Sequence, residues 1–180
     1  GLKPVHRRIL YAAQEGGFDT RLGGVDAALL LGNAPWPSEW QVHTLVAERI
    51  GPVLSPRHAD IERLRQAPAA ALLDEPLLHT ASRPQAWPHW FAAQRLDARQ
   101  LQPGTGFDHL TYLLEAAAAG LGVAIAPEEL VSTDIASGRL LAPWGFVETG
   151  GEWALCALRG NTDARIPALA DWLRDELNGS

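Results

Sequence analysis

An α/β fold with a mostly parallel sheet is predicted on three observations. Short apolar runs alternate with helix-like stretches along the whole chain. Glycine and proline bound those runs, as at Gly23-Gly24, Gly32 and Pro127. The best-defined segment, from Gly104 onward, reads strand, helix, strand, helix.

Taken in order, Arg8-Ile9-Leu10-Tyr11-Ala12-Ala13 reads as a strand, and Val25 to Leu31 as a stronger one closed by Gly32. The loop from Gly32 to Ser38 carries Pro35 and Pro37, which forbid regular structure there. Val42 to Val46 and Ile50 to Leu54 read as two further strands. Ala67 to Leu73 is helical in composition. Leu77-Leu78-His79 is a short strand, and the helix after it is entered through Ser82-Arg83-Pro84. Pro88 must fall in the first turn of that helix, because an interior proline breaks the backbone ladder. Gly104 to Phe107 ends a strand, and Asp108 is expected to cap the next helix. Leu110, Leu113, Leu114 and Ala117 follow at i, i+3, i+4 and i+7 as its buried face, and Gly120 closes it. Val123 to Ala126 is a buried strand stopped by Pro127. Glu128 to Ala136 is a helix ended by Gly138. Trp153 to Leu158 is a late strand. Ile166, Leu169, Ala170, Leu173 and Leu177 mark a C-terminal amphipathic helix.

The 180 residues suffice for one domain, or one domain of two small lobes. With 47% hydrophobic and 20% charged residues the composition is globular. No apolar run approaches ~18 residues, so no transmembrane helix is expected, and no signal peptide is visible at the start. The single cysteine, Cys156, excludes an internal disulfide and points to a reducing, cytoplasmic setting. A net charge of -6 argues against this segment gripping nucleic acid itself, since phosphate contacts need clustered cations. There is no methionine even at position 1, so the natural protein is expected to continue upstream of Gly1.

Motifs that carry chemistry are scarce. Gly120-Leu121-Gly122 leaves a helix and opens a strand, the reverse of a dinucleotide fingerprint, in which phosphate meets a helix N-terminus. None of His6, His43, His58, His79, His89 and His109 stands four residues from another, so no helical metal pair exists. Cys156 has no basic neighbour before Arg159 and reads as a buried, inert thiol. Glu128 and Glu129 are adjacent and point apart on a helix, which suits a surface and not a catalytic dyad. No Gly-x-Ser-x-Gly elbow is present. Neither a cofactor nor a catalytic or metal-binding residue is assigned, and an enzyme is not expected. Trp87, Trp90 and Phe91 at i, i+3, i+4 read as core packing. Trp36, between two prolines, is either a lid over a pocket or an anchor for its loop.

Several stretches together resemble one family. Val25-Asp26-Ala27-Ala28 running into Gly32-Asn33-Ala34-Pro35-Trp36 looks like the third strand and following loop of the effector domain of a LysR-type transcriptional regulator. Trp87-Pro88-His89-Trp90-Phe91 resembles a helix of its glycine-cleavage-activator and β-lactamase-regulator branch. Phe107-Asp108-His109, then Ala116 to Ala124 and Pro127, is similar to that branch's most characteristic stretch. The Gly138-Arg139-Leu140 turn and Trp172-Leu173 also fit, and the likeness runs from about Ile9 to Leu177.

The resemblance implies two Rossmann-like lobes of type II periplasmic-binding-protein architecture, with ligand between them. Lobe I would hold residues 1–50 and 144–180, and lobe II residues 51–143. Two parts of the family pattern have no counterpart in this sequence: the N-terminal winged helix-turn-helix, and the first strand and helix of lobe I. Since that strand lies between the second and third, a gap in the lobe I sheet is expected. The resemblance also implies a homodimer or homotetramer, DNA contact only through the winged helix, no membrane, and no catalysis. A stand-alone solute-binding protein of the same fold is the alternative.

In such sheets ligands sit beyond the carboxyl ends of strands. That nominates Asn33 and, farther out, Trp36; His79 and Thr80; and Phe107, Asp108 and His109 at a helix start. Glu152 or Trp153 would come from the return crossing at Val147 to Trp153. Each has a plainer role: Asp108 as a cap, His79 and Thr80 satisfying backbone, Asn33 in a turn, Glu152 solvated. Asp108 and Glu152 would repel a purely anionic effector, so an amine- or amide-bearing metabolite is expected.

Overall fold

Glycine and proline punctuate the elements much as the pattern suggests, and a computed structural model describes residues 9–13, 26–102 and 104–179. Its strands are β1 (Ile9–Ala13), β2 (Ala27–Gly32), β3 (Trp40–Val53), β4 (Leu77–Thr80), β5 (Thr105–Phe107), β6 (Val123–Pro127) and β7 (Val147–Leu158). Its α-helices are α1 (Ile61–Leu64), α2 (Ala86–Ala93), α3 (Leu110–Ala118), α4 (Glu128–Ala136) and α5 (Arg165–Asn178). The chain divides into two compact units. The first is Gly1–Glu48 with Gly150–Ser180, and the second is Arg49–Thr149. The chain enters the second unit along β3 and leaves it along β7.

In the first unit the strand order is β1-β2-β7-β3. β2 runs antiparallel to β7, with Ala28 opposite Cys156 and Gly32 opposite Glu152. Alternation along the strands makes two apolar faces. One carries Ala27, Leu29, Leu31, Leu45, Trp153 and Leu155 against Ile166, Leu169 and Ala170 of α5. The other groups Ala28, Trp40, Ala154 and Cys156, with Leu30, Trp36 and Val42 packed on it.

In the second unit the order is β3-β6-β4-β5. β4 is parallel to both β5 and β6, and β3 is antiparallel to β6. Val123 and Ile125 of β6 face a layer containing Leu64, Leu72, Trp87, Trp90 and Phe91. Ala124 and Ala126 face Leu113, Leu114, Ala117 and Val131 of α3 and α4. Helices thus cover both faces of this sheet.

Several expectations are corrected. β3 is one strand of 14 residues, not two, because the polar Glu48 that interrupts the apolar pattern is itself buried at 1% exposure. Ala69–Asp74 is a 3-10 helix. β7 begins at Val147, ahead of Trp153. The gap expected in the first unit is closed: β1 pairs directly with β2 in parallel, Ile9 opposite Ala27 through Ala13 opposite Leu31. Pairing of this kind satisfies backbone groups that an open edge would leave bare. Asp108 does not cap α3. The chain stays extended through His109 (φ -133, ψ 142), so the helix starts one residue later, and the His109 side chain makes no capping bond.

Candidate functional site

The nominated residues fall into two groups, one in each unit. In the second unit they are brought together by the pairing of β4 with β5. His79 lies opposite Gly106 and Thr80 opposite Phe107. The zipper runs to the strand ends, where the Ala81 N–H donates to the Phe107 carbonyl at 2.8 Å and the Arg83 N–H to the Thr80 carbonyl at 2.9 Å. A Cβ on Gly106 would come within 3.3 Å of His79 Nε2, so glycine leaves the space that the half-buried imidazole uses. Phe107 is partly buried against the core, and Asp108 and His109 are exposed. The His109 ring meets the Tyr112 ring edge-on, with centroids 5.6 Å apart.

Behind this group stands the aromatic stripe. Trp87, Trp90 and Phe91 are 5%, 0% and 0% exposed, which bears out their reading as core. Trp87 also does something the spacing did not reveal. Its indole N–H donates to the Leu78 carbonyl at 3.0 Å, fixing β4 one residue before His79. α2 therefore positions the strand that carries two of the nominated residues.

In the first unit, Glu152 stands directly opposite Gly32, beside the exposed Asn33 at the end of β2. Its Oε2 accepts a hydrogen bond from the Thr44 hydroxyl of β3 at 3.3 Å. Thr44 was not anticipated; its position in a polar stretch of β3 gave no signal. Trp153 is corrected. Successive residues of a strand face opposite sides, and this ring, 5% exposed, is core against α5. Trp36 is half-buried and tilted on Trp40 with centroids 6.5 Å apart, which is the loop-anchor arrangement.

The arrangement offers hydrogen-bonding side chains at strand ends. Cys156 is fully buried, and desolvation pushes its thiol up to about 12, far from a nucleophile's range. No group of His, Cys, Asp and Glu among the described residues could hold a metal ion. Among those residues, no helix is long and apolar enough to cross a membrane.

Known proteins agree in kind. The family described as the LysR substrate binding domain matches residues 19–178. The HTH-type transcriptional regulator TrpI of Pseudomonas aeruginosa is 58% identical over 172 residues, covering 96% of this chain and 58% of that protein. The glycine cleavage system transcriptional activator of Escherichia coli K12 is 31% identical over 151 residues, covering 83% of this chain and 48% of its own length. The chain thus spans about half the length of these relatives. Among solved structures, the effector domain of the transcriptional regulator AmpR of Pseudomonas aeruginosa superimposes with a TM-score of 0.70 at 28% identity, over 87% of this chain and 73% of that one. The AmpR effector binding domain from Citrobacter freundii also gives 0.70, at 24% identity over 87% and 76% of the two chains, and speaks for the fold alone.

Proposed function

This chain belongs to the LysR substrate-binding-domain family, and on that premise we propose how it senses its effector. It is the effector-binding domain of a LysR-type transcriptional regulator with a periplasmic-binding-protein-like fold, and it is not an enzyme. The effector is a small cytoplasmic metabolite, and the side chains offered for its recognition are His79, Thr80, Phe107, Asp108 and His109 in the second unit and, taken separately, Asn33 and Glu152 in the first. The observation that carries this is the register that ends β4 and β5 together, with Thr80 opposite Phe107 and exposed Asp108 next in line. In the whole regulator the chain acts within a homodimer or homotetramer, and an N-terminal winged helix contacts DNA. Effector binding shifts the equilibrium between two states of the regulator by its differential affinity for them. The kinship with transcriptional regulators speaks against a stand-alone solute-binding protein.

Two polarities of effector have specific support. Exposed Asp108 in the second unit favours a ligand amine or amide. The start of α3 favours an acidic group, because neither a side-chain cap nor an acidic residue occupies its first turn. Native mass spectrometry of the purified chain identifies a co-purified molecule, and calorimetry of that molecule against Asp108→Asn separates the two. A charge-assisted bond from Asp108 to a ligand amine or amide is worth about 1.5–3 kcal/mol, roughly ten- to hundred-fold in affinity. Unchanged affinity in the folded variant assigns recognition to the helix start, His79 and Thr80.

A further inference from the structure

A second pocket lies within the second unit, away from the strand-end residues. Residues 55–58, following β3, form a tight turn. Ser55 is buried; its Oγ accepts the Arg57 N–H at 2.9 Å and its carbonyl accepts the His58 N–H at 3.1 Å. Pro56 fixes φ inside that turn. His58 is 6% exposed, with its ring Nδ1 accepting the Asp60 N–H at 3.2 Å and its Nε2 3.6 Å from Glu75. The turn is therefore held at both ends. The Arg57 side chain projects from it exposed, with no acceptor for its guanidinium among the described residues.

Facing the turn is the end of α3. The Gly120 N–H donates to the Ala117 carbonyl at 2.9 Å and the Leu121 N–H to the Ala116 carbonyl at 3.1 Å, with Gly120 at φ +83. This is a Schellman closure. The carbonyls of Ala118 and Ala119 lie beyond it, at the negative end of the helix. Arg139, after α4, donates to Glu115 Oε1 at 2.6 Å and to Asp134 Oδ1 at 3.2 Å. The 55–57 turn, Glu115, Ala119 and Arg139 border an open pocket of about 370 Å³, within the size range of small-metabolite sites. Asp108 and His109 stand at the opposite end of α3. Nine helical residues at 1.5 Å rise put about 14 Å between the two ends.

We infer that this pocket is a second ligand site, built for a free α-amino acid. One wall is cationic, the exposed Arg57 guanidinium, whose fork geometry suits a carboxylate. The other is anionic, formed by the Glu115 carboxylate oxygen that Arg139 does not take and by the last carbonyls of α3. A simple anion would face Glu115 and a helix C-terminus, and a simple cation would face two arginines. A zwitterion matches both walls, and Pro56 and Ala118 offer apolar surface to a small side chain.

The test is calorimetric titration of the 180-residue chain with each standard L-amino acid, and with propionate and ethylamine as single-charge controls. At least one amino acid should bind saturably where neither control does. Arg57→Gln should weaken that binding ten-fold or more, the scale of a charged hydrogen bond, and Asp108→Asn should leave it unchanged. Ala119→Leu, on an exposed residue at the pocket's mouth, should also abolish it, which keeps the test sound if Arg57→Gln disturbs the fold. Absence of amino-acid binding at millimolar concentration overturns the inference, as does propionate binding equally well. Binding that fails in Asp108→Asn yet survives Arg57→Gln overturns it too, because it then belongs to the strand-end residues.

Discussion

Trp90 shows how much of this molecule is decided residue by residue. Its ring is fully buried, meeting Trp87 edge-on at 6.3 Å and Phe91 at 5.6 Å. Removing a buried aromatic leaves a cavity as well as losing transfer energy, so Trp90→Ala should cost roughly 3–5 kcal/mol in denaturant unfolding. Its i, i+3, i+4 spacing with its neighbours was legible in the sequence because a helix makes spacing and facing equivalent. Asp108 was harder to read. Capping depends on backbone angles, and nothing in the residue string says that the chain stays extended for one residue more, through His109. Cys156 was readable as inert from its apolar neighbours. With its thiol pushed up to about 12 by burial, it stays protonated at neutral pH. A thiol-specific disulfide reagent at that pH should label it only as denaturant unfolds the chain; rapid labelling of the native protein would contradict its burial.

Elements bounded by stop signals were read most accurately. Glu128–Ala136 was expected as a helix and is one, since Pro127 starts it and Gly138, at φ +74, ends it. Gly120 ends α3 the same way, at φ +83. A Cβ there meets a disfavoured left-handed backbone and lies 3.4 Å from the Arg57 carbonyl. Gly120→Ala should therefore lose about 1–2 kcal/mol in urea unfolding, whereas Gly160→Ala, with open space around its Cβ position, should be close to silent. β3 was misread as two strands because a polar stretch interrupts its apolar pattern, and the Gly51-Pro52 pair near its end does not stop it either. Ala47-Glu48-Arg49 only looked like a break. Glu48 is buried, and Arg49 donates to Glu128 Oε2 at 2.7 Å and to the Phe146 carbonyl at 3.2 Å. Polar residues with partners sit in a strand without ending it. At the start of α5, Asp163 accepts the Arg165 N–H at 2.9 Å, and its carboxyl, held by the Arg165 guanidinium and N–H, falls to about 2. A depressed carboxyl stabilises above its unfolded pKa and loses that effect as pH falls through about 2. Asp163→Ala should lower the melting temperature at neutral pH, with the difference shrinking in strong acid.

At the scale of the whole chain, the candidate recognition residues come from segments far apart in sequence, and that explains what the sequence could and could not show. Asn33 and Glu152 become neighbours only through the antiparallel register of β2 and β7, and Thr80 and Phe107 only through the parallel register of β4 and β5. Strand ends are legible from apolar runs, but which ends meet is a property of topology, and here it was supplied by resemblance rather than by spacing. Charge, by contrast, is fully legible without any fold. The chain has 15 Lys and Arg against 21 Asp and Glu. Several arginines are already held by carboxylates, among them Arg99 by Asp97, Arg139 by Glu115 and Asp134, and Arg165 by Asp163. Binding to duplex DNA draws its affinity chiefly from cations that displace counterions from phosphates. A molecule of net charge -6 with several of its guanidiniums engaged has little to contribute to that exchange. The 180-residue chain by itself should therefore leave duplex DNA unshifted in a gel assay and give no saturable anisotropy change at moderate salt. Sequence-selective binding by this chain alone would contradict the proposed confinement of DNA contact to a winged helix outside it.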